Sequence, residues 1–258
     1  MAPRSIWNGT ITFGMVNVPI KLYSATESKT IHFREVHQRD GGRIEHRRIC
    51  PKEDREVPYK EVVKGYEVSP GEYVVLEKDE VKAAAGDRGK VVHIAEFVDA
   101  AAIDPVFYEK TYYVGSRDDE NPYRLLYEAL RRSGRAGIGR FTFHDREYLV
   151  ALRALDDALA LHTMRFHDEV VAADDLEIPR PRQKPSAREV RMAGQLVESL
   201  AEDFDPASYS DTYREAVLDL INRKAAGEEI DLLEHEEPEH GEDLLAALQA
   251  SLGSAGKG

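Results

Sequence analysis

Short runs of alternating apolar and polar residues, broken by turn formers at spacings of about ten residues, constrain this chain more than any other feature. Ile11, Phe13 and Met15 alternate with small or polar residues. Ile20 and Leu22 alternate with Lys21 and Tyr23, and Ile31 and Phe33 with His32 and Arg34. A period of two buries one face of a strand and leaves the other wet. Asn8-Gly9 reads as a tight turn. Pro19 reads as an edge strand or a bulge, because proline donates nothing to a ladder. Further strand patterns cover 73–76, 91–98, 107–114, 140–143, 148–153 and 159–166, with a hairpin-like turn at His144-Asp145-Arg146-Glu147. Two helices interrupt them. One runs from Glu77 to Gly86. The other, Tyr123 to Arg132, carries Leu125, Leu126, Ala129 and Leu130 at helical spacing and stops at Arg131-Arg132-Ser-Gly. So many strands at short spacing predict a mixed, β-rich fold with a β-barrel core.

The pattern changes after the Pro- and Arg-rich linker Ile178-Pro-Arg-Pro-Arg-Gln-Lys-Pro. Ser186-Ala-Arg-Glu189 is a capping-box pattern. Val190, Ala193, Leu196, Val197 and Leu200 follow on one helical face, and a second helix from Ser210-Asp211 carries Tyr213, Ala216, Val217, Leu220 and Ile221. Two amphipathic helices make a poor core, so their apolar faces must pack on the barrel or on another chain. From Glu228 the chain is acidic and reads as disordered, except that Leu244, Leu248 and Leu252 recur every four residues near its end. The expected division is therefore a core at 1–185, a helical arm at 186–227 and an acidic tail at 228–258.

Composition narrows the setting. No apolar run is long enough for a transmembrane helix, the start has no apolar signal core, and a single cysteine, Cys50, forms no internal disulfide. These point to a cytoplasmic protein. The net charge of −13 argues against a nucleic-acid partner until its distribution is considered. Residues 1–60 hold 11 Lys/Arg against 7 Asp/Glu, a net of +4, whereas residues 201–258 hold 4 against 15, a net of −11. Affinity for DNA depends on local cation density, so a basic front with an acidic tail is compatible with it.

Two basic clusters stand out. The first is Arg34, Arg39, Arg43, Arg47 and Arg48, followed by Lys52 and Arg55, with a hairpin turn at Gly41-Gly42. It reads as a phosphate-facing ribbon, or as a solvated hairpin with ion pairs to Glu35 and Glu45. Strand alternation would put Arg43, Glu45 and Arg47 on one face. The second is Arg131, Arg132, Arg135 and Arg140 with glycines at 134, 137 and 139. It reads as cations compensating a helix dipole ahead of a Gly-rich turn, or as a place where backbone approaches phosphate. No Walker A loop, His-Glu-x-x-His, Gly-x-Ser-x-Gly or Gly-x-Gly-x-x-Gly motif is present. His162 and His167 face opposite sides of a strand, and His235 and His240 lie in an acidic run, so no metal site is expected. Cys50 reads as a small buried hydrophobe.

Several segments in order resemble bacterial Ku, the DNA-end-binding protein of non-homologous end joining. They are the opening Arg4-Ser-Ile-Trp-Asn-Gly-Thr-Ile-Thr-Phe-Gly, Arg47-Arg48-Ile-Cys50, Glu56-Val-Pro-Tyr-Lys-Glu-Val-Val-Lys-Gly-Tyr-Glu67, His162-Thr-Met-Arg-Phe, Met192-Ala-Gly-Gln-Leu-Val-Glu-Ser-Leu and Tyr209-Ser-Asp-Thr-Tyr-Arg-Glu. The resemblance implies a β-barrel core with extended bridge or arm segments forming a dimeric ring around duplex DNA, and a helical C-terminal arm that embraces the partner. It implies sequence-independent binding of double-stranded DNA ends, no catalysis, no cofactor, and recruitment of a multifunctional ATP-dependent DNA ligase at the nucleoid. The residues expected at DNA are Arg34, Arg43, Arg47, Arg48, Lys52, Lys60, Lys64, Arg131, Arg132 and Arg140. Leu196, Leu200, Tyr213, Val217 and Leu220 are expected at the dimer interface, and Leu244, Leu248 and Leu252 at the ligase. One departure is visible: relatives often carry Cys-x-x-Cys where this chain has Cys50-Pro-Lys-Glu53, which leaves a zinc or disulfide role there without support. The rival expectations are a β-barrel enzyme acting on a small anionic metabolite and a structural dimer with no DNA role.

Overall fold

The computed structural model describes residues 4–85, 90–143, 146–178 and 185–228. The chain divides into two compact units, Met1–Lys29 with Phe33–Asp175, and Thr30–His32 with Leu176–Gly258. The first unit holds strands β1 (Trp7–Phe13), β2 (Val16–Ser24), β3 (Ile49–Cys50), β4 (Arg55–Glu56), β5 (Lys64–Ser69) and β6 (Glu72–Leu76). It continues with helix α1 (Lys78–Ala85), β7 (Val91–Asp99), β8 (Tyr108–Ser116), helix α2 (Glu120–Ser133), β9 (Arg135–Phe143), β10 (Arg146–Leu155) and β11 (Ala158–Met164). Seven of these strands close a barrel in the order β1-β2-β8-β11-β10-β9-β7. All its pairings are antiparallel except the last, where Thr10–Thr12 of β1 run parallel to Val91–His93 of β7.

Alternation places the core inside. The cross-strand partners Trp7 and Leu22, Ile11 and Val18, Leu152 and Leu161, and Val92 and Phe141 are all buried. Trp7 meets Phe141 edge to face at 5.6 Å, a favoured aromatic geometry. Helix α2 adds Leu126 and Leu130 to the same core. Asp119 caps it by accepting from the Asn121 amide at 2.9 Å, and Gly134 ends it in the left-handed conformation at φ 64°. Tyr123 ties the helix to the barrel: its hydroxyl donates to the Val114 carbonyl at 2.9 Å and accepts from the Leu159 amide at 3.0 Å.

Several local expectations are corrected. Asn8-Gly9 is not a turn but lies inside β1. Glycine is required there because a Cβ would sit 2.0 Å from the Trp7 ring and 2.3 Å from the Lys90 carbonyl oxygen. The turn comes later, at Gly14 (φ 55°) and Met15, so Met15 is 98% exposed instead of continuing the buried face. Ile31 and Phe33 form no strand, and Phe33 is 70% exposed. Gly137 and Gly139 belong to β9 and not to a turn. Cys50 is only half-buried. Pro19 lies opposite Thr10 in β2, one residue before pairing with β8 begins at Ile20, so its missing donor costs no ladder bond on that side.

The second unit contains helices α3 (Ala187–Ser199) and α4 (Thr212–Ala225). The capping box is present in full: the Ser186 hydroxyl accepts from the Glu189 amide, and the Glu189 carboxylate accepts from the Ser186 amide at 2.7 Å. Asp211 caps α4 through the Arg214 amide at 2.9 Å. Among the described residues no helix is long and apolar enough to cross a membrane.

Candidate nucleic-acid interface

Between residues 32 and 77 the backbone makes two small hairpins, β3–β4 and β5–β6, that pair only with themselves. Only Cys50 and Val57 in this stretch are half-buried, and every other side chain is exposed. The exposed set includes Phe33, Ile44, Tyr59, Val63, Tyr66, Tyr73 and Val75. A soluble chain does not ordinarily leave so continuous an apolar set in water.

Seven of the ten cations expected at DNA lie in this segment. Arg43 makes an isolated bridge with Val36 across a tight turn, in which the His37 amide donates to the Gly42 carbonyl at 2.7 Å and Gly41 takes φ 69°. The Asp40 carboxyl in this turn is held below its usual range, first by the Gly42 amide and then by His37. No regular strand follows Arg43, so the expected shared face of Arg43, Glu45 and Arg47 does not form. Nor do arginines pair with Glu35 and Glu45 as expected: Glu35 meets His46 at 2.8 Å, and Arg47 meets Glu56 at 3.5 Å. The Arg48 guanidinium lies 5.1 Å from the centre of the Tyr59 ring, a cation–π contact. Lys52 is in the β3–β4 turn, Lys60 is in the short helix Tyr59–Glu61, and Lys64 opens β5. Among the described residues, Arg34, Arg43, Arg48, Lys52, Lys60 and Lys64 have no carboxylate partner.

The other three cations are on the barrel and are already paired. Arg131 and Arg132 share the Glu128 carboxylate at 3.0 and 3.1 Å, and Arg140 meets Glu147 at 2.8 Å. The Arg131 hydrogen bond is the main reason the Glu128 carboxyl sits below its usual range. Such exposed pairs are worth little, and a phosphate can replace the carboxylate. Tyr59 was not legible as a site residue. The sequence separation between Arg48 and Tyr59 carries no periodic signal, and their meeting depends on the β3–β4 hairpin.

Of the residues expected at a dimer interface, Leu196, Val217 and Leu220 are half-buried. Leu200 and Tyr213 are 66% and 74% exposed. Leu244, Leu248 and Leu252 lie outside the described residues. Among the described residues no three His, Cys, Asp or Glu side chains gather where they could hold a metal ion.

One buried histidine on the barrel gives the fold a pH response. His162 is 7% exposed, and its Nδ1 is 2.9 Å from the Thr111 hydroxyl. Burial, and then the charge of Arg153, push its pKa from 6.5 down to about 4. The unfolded chain therefore takes up a proton that the folded chain refuses. Stability is full above pH 6.5, falls as the pH drops towards 4, and levels off below it. After allowance for solvent screening the loss is about 2 kcal/mol. In urea unfolding at neutral and at acid pH, His162→Gln should lose less stability than the wild type by that amount. Equal losses would sink the assignment.

Residues 12–192 match the family model described as the Ku70/Ku80 beta-barrel domain. The chain is 45% identical to the non-homologous end joining protein Ku of Anaeromyxobacter sp. (strain K), covering 98% of this chain and 86% of that one. It is 36% identical to the protein of the same name from Mycobacterium tuberculosis, over 98% and 96% of the two chains, and 35% identical to that from Bacillus subtilis, over 96% and 81%. The closed barrel, the matching domain and these near full-length identities together establish that the chain belongs to the Ku family.

Proposed function

We propose that this chain binds the ends of double-stranded DNA without regard to sequence, as a homodimeric ring, in the repair of double-strand breaks by non-homologous end joining. The observation that carries the reading is the segment 32–77. It presents six cations with no carboxylate partner among the described residues, on a stretch that buries almost none of its apolar side chains. Phosphates would serve the first group and a second copy of the chain the second. An isolated two-stranded hairpin is marginal in water, so β3–β4 and β5–β6 gain most from such a partner. The relatives' names support the repair process. Phosphate contacts position a protein on the duplex and carry no base information, which suits a protein that must accept any broken end. The reading calls for no bond-making step and no cofactor, and it places the protein in the cytoplasm at the nucleoid.

A ring threads only from an end. In a gel-shift assay, linear duplex should be bound tightly and covalently closed circular DNA of the same sequence weakly. Equal affinity for both would defeat the ring.

On this reading residues 1–185 form the core and the DNA-encircling bridge. Residues 186–227 embrace the partner through Leu196, Leu200, Tyr213, Val217 and Leu220. Residues 228–258 reach an ATP-dependent DNA ligase through Leu244, Leu248 and Leu252, a spacing that suits an amphipathic helix in a groove. The acidic tail should not lie on phosphates. Removing residues 228–258 should leave end binding intact, or tighten it at low salt, and should weaken stimulation of the ligase. A truncated protein that stays folded and dimeric but loses DNA would show that the tail has another job.

A further inference from the structure

Helix α2 carries more apolar surface than the barrel covers. Leu126 and Leu130 enter the core, whereas Leu125 is 72% exposed and Ala129 is exposed beside it. With Phe13, Val16 and Phe97 these two line a groove of about 520 Å³. Phe13 and Phe97 meet edge to face at 5.9 Å, and Val16 and Phe97 are themselves exposed. Positions 122, 125, 129 and 133 of α2 border the groove, so it extends about 16 Å at 1.5 Å per residue. An exposed apolar groove of this length marks a docking surface, and its shape suits a helix of about three turns.

One end of the groove is basic. Arg135 lines it and is exposed. Among the described residues no carboxylate is within ion-pair distance of Arg135. Asp99, opposite it in the ladder, instead accepts from the Ala101 amide at 3.0 Å. Arg132 follows Leu125 and Ala129 on the same side of the helix, and its side chain is mostly exposed. The occupant must therefore be apolar along the groove and acidic at one end. This chain contains such a segment. Leu244, Leu248 and Leu252 fall every four residues and, as a helix, form a stripe about 12 Å long. Asp243 stands where a helix would start and Gly253 where it would stop. Glu234, Glu236, Glu237, Glu239, Glu242 and Asp243 precede the leucines, and no acid follows Leu252. The chain from Glu228 to Leu244 can span up to about 55 Å.

We infer that segment 242–252 of this chain docks in the α2 groove, with its leucines against Leu125, Val16 and Phe97 and its acidic end at Arg135. The segment runs antiparallel to α2, because its acids come first and Arg135 stands where α2 ends. Tethering supplies an effective concentration on the order of 1 mM, so an intrinsic dissociation constant of about 0.1 mM keeps about 90% of the grooves filled. The leucines that the proposed function gives to a ligase are then covered until that partner displaces them.

The test uses the full-length protein without DNA or ligase, so its failure is separate from failure of the end-binding reading. Amide exchange at 244–252 should be slowed about tenfold relative to a synthetic peptide of residues 240–254. Leu125→Asp, at an exposed position, should return it to the peptide's rate. Arg135→Glu should reduce the protection about threefold at low salt and less at high salt. The reciprocal variant, Leu248→Asp, changes no residue of the barrel and is read at the groove. It should shift the methyl resonances of Leu125, Ala129 and Val16 in NMR spectra and leave those of the core residue Leu161 in place. Exchange at the peptide's rate in the wild type, or protection that survives Leu125→Asp, would overturn the contact. An unprotected 244–252 together with a lower oligomeric mass for Leu125→Asp would give the groove to a second copy, and would overturn it as well.

Discussion

Gly139→Ala should destabilise the barrel by about 3 kcal/mol, the range of overpacking and backbone strain in a closed core. A Cβ at this position would lie 2.2 Å from the His93 carbonyl oxygen and 3.0 Å from the Ile94 Cα. Both are main-chain atoms, so no rotamer change relieves the clash. The approach is close because β7 carries a bulge here: Ile94 pairs with Gly139 but Glu96 pairs with Ile138. Bulges bend a strand and increase its twist, and this one helps bring β7 round to β1. The variant should therefore unfold at lower urea concentration, with the transition shifted and its slope unchanged. Gly194→Ala is the control, since a Cβ there meets nothing within 4 Å, and alanine should slightly favour its helix. Equal stability of Gly139→Ala and wild type would mean that the two strands separate without cost.

Changing Arg47 and Arg48 together to alanine should weaken end binding for every duplex sequence alike. Each lost phosphate contact reduces the slope of log affinity against log salt by about 0.9, and in the proposed homodimer every contact is lost twice. The two arginines are held differently. Arg47 is shared with Glu56 at 3.5 Å, and Arg48 lies on Tyr59 at 5.1 Å. Arg48 therefore offers a guanidinium with no anionic competitor. Of the single variants, Arg48→Ala should account for more of the loss. Measuring affinity on linear duplexes across a salt series checks both statements. A loss confined to some sequences, or an unchanged slope, would remove these residues from the interface.

The barrel was largely legible because it depends on a local rule. Alternation in 11–13, 20–22 and 91–98 corresponds to strands whose buried residues fall on one face, whereas 159–164 is buried on both faces of its strand. Caps were legible for the same reason, since Ser186 and Glu189 act within one helical turn. Ile31 and Phe33 show where the rule stops. They alternate as well as any strand, but pairing needs a neighbour, and among the described residues no strand pairs with them. Gly139 misled in the opposite direction, because glycine marks a turn in most contexts and here marks a close approach of two strands. The candidate site was legible only as charge. Which cations have a carboxylate partner, and that Arg48 meets Tyr59, depend on the fold of two short hairpins that no period announces.

The place of the two small hairpins in the barrel's connectivity bears on how the chain reaches its native state. The barrel closes by pairing β1 with β7, and residues 25–90, with both small hairpins, form the loop between β2 and β7. Meanwhile β9, β10 and β11 follow one another in the chain and pair with immediate neighbours. Local pairings of that kind form early, and distant ones wait on loop closure. The β1–β7 seam is then the late event. Its entropic cost grows only logarithmically, by about 0.6 kcal/mol for each doubling of the loop. The loop 25–90 can therefore lengthen, shorten or change sequence over many generations with little penalty to the barrel that carries it.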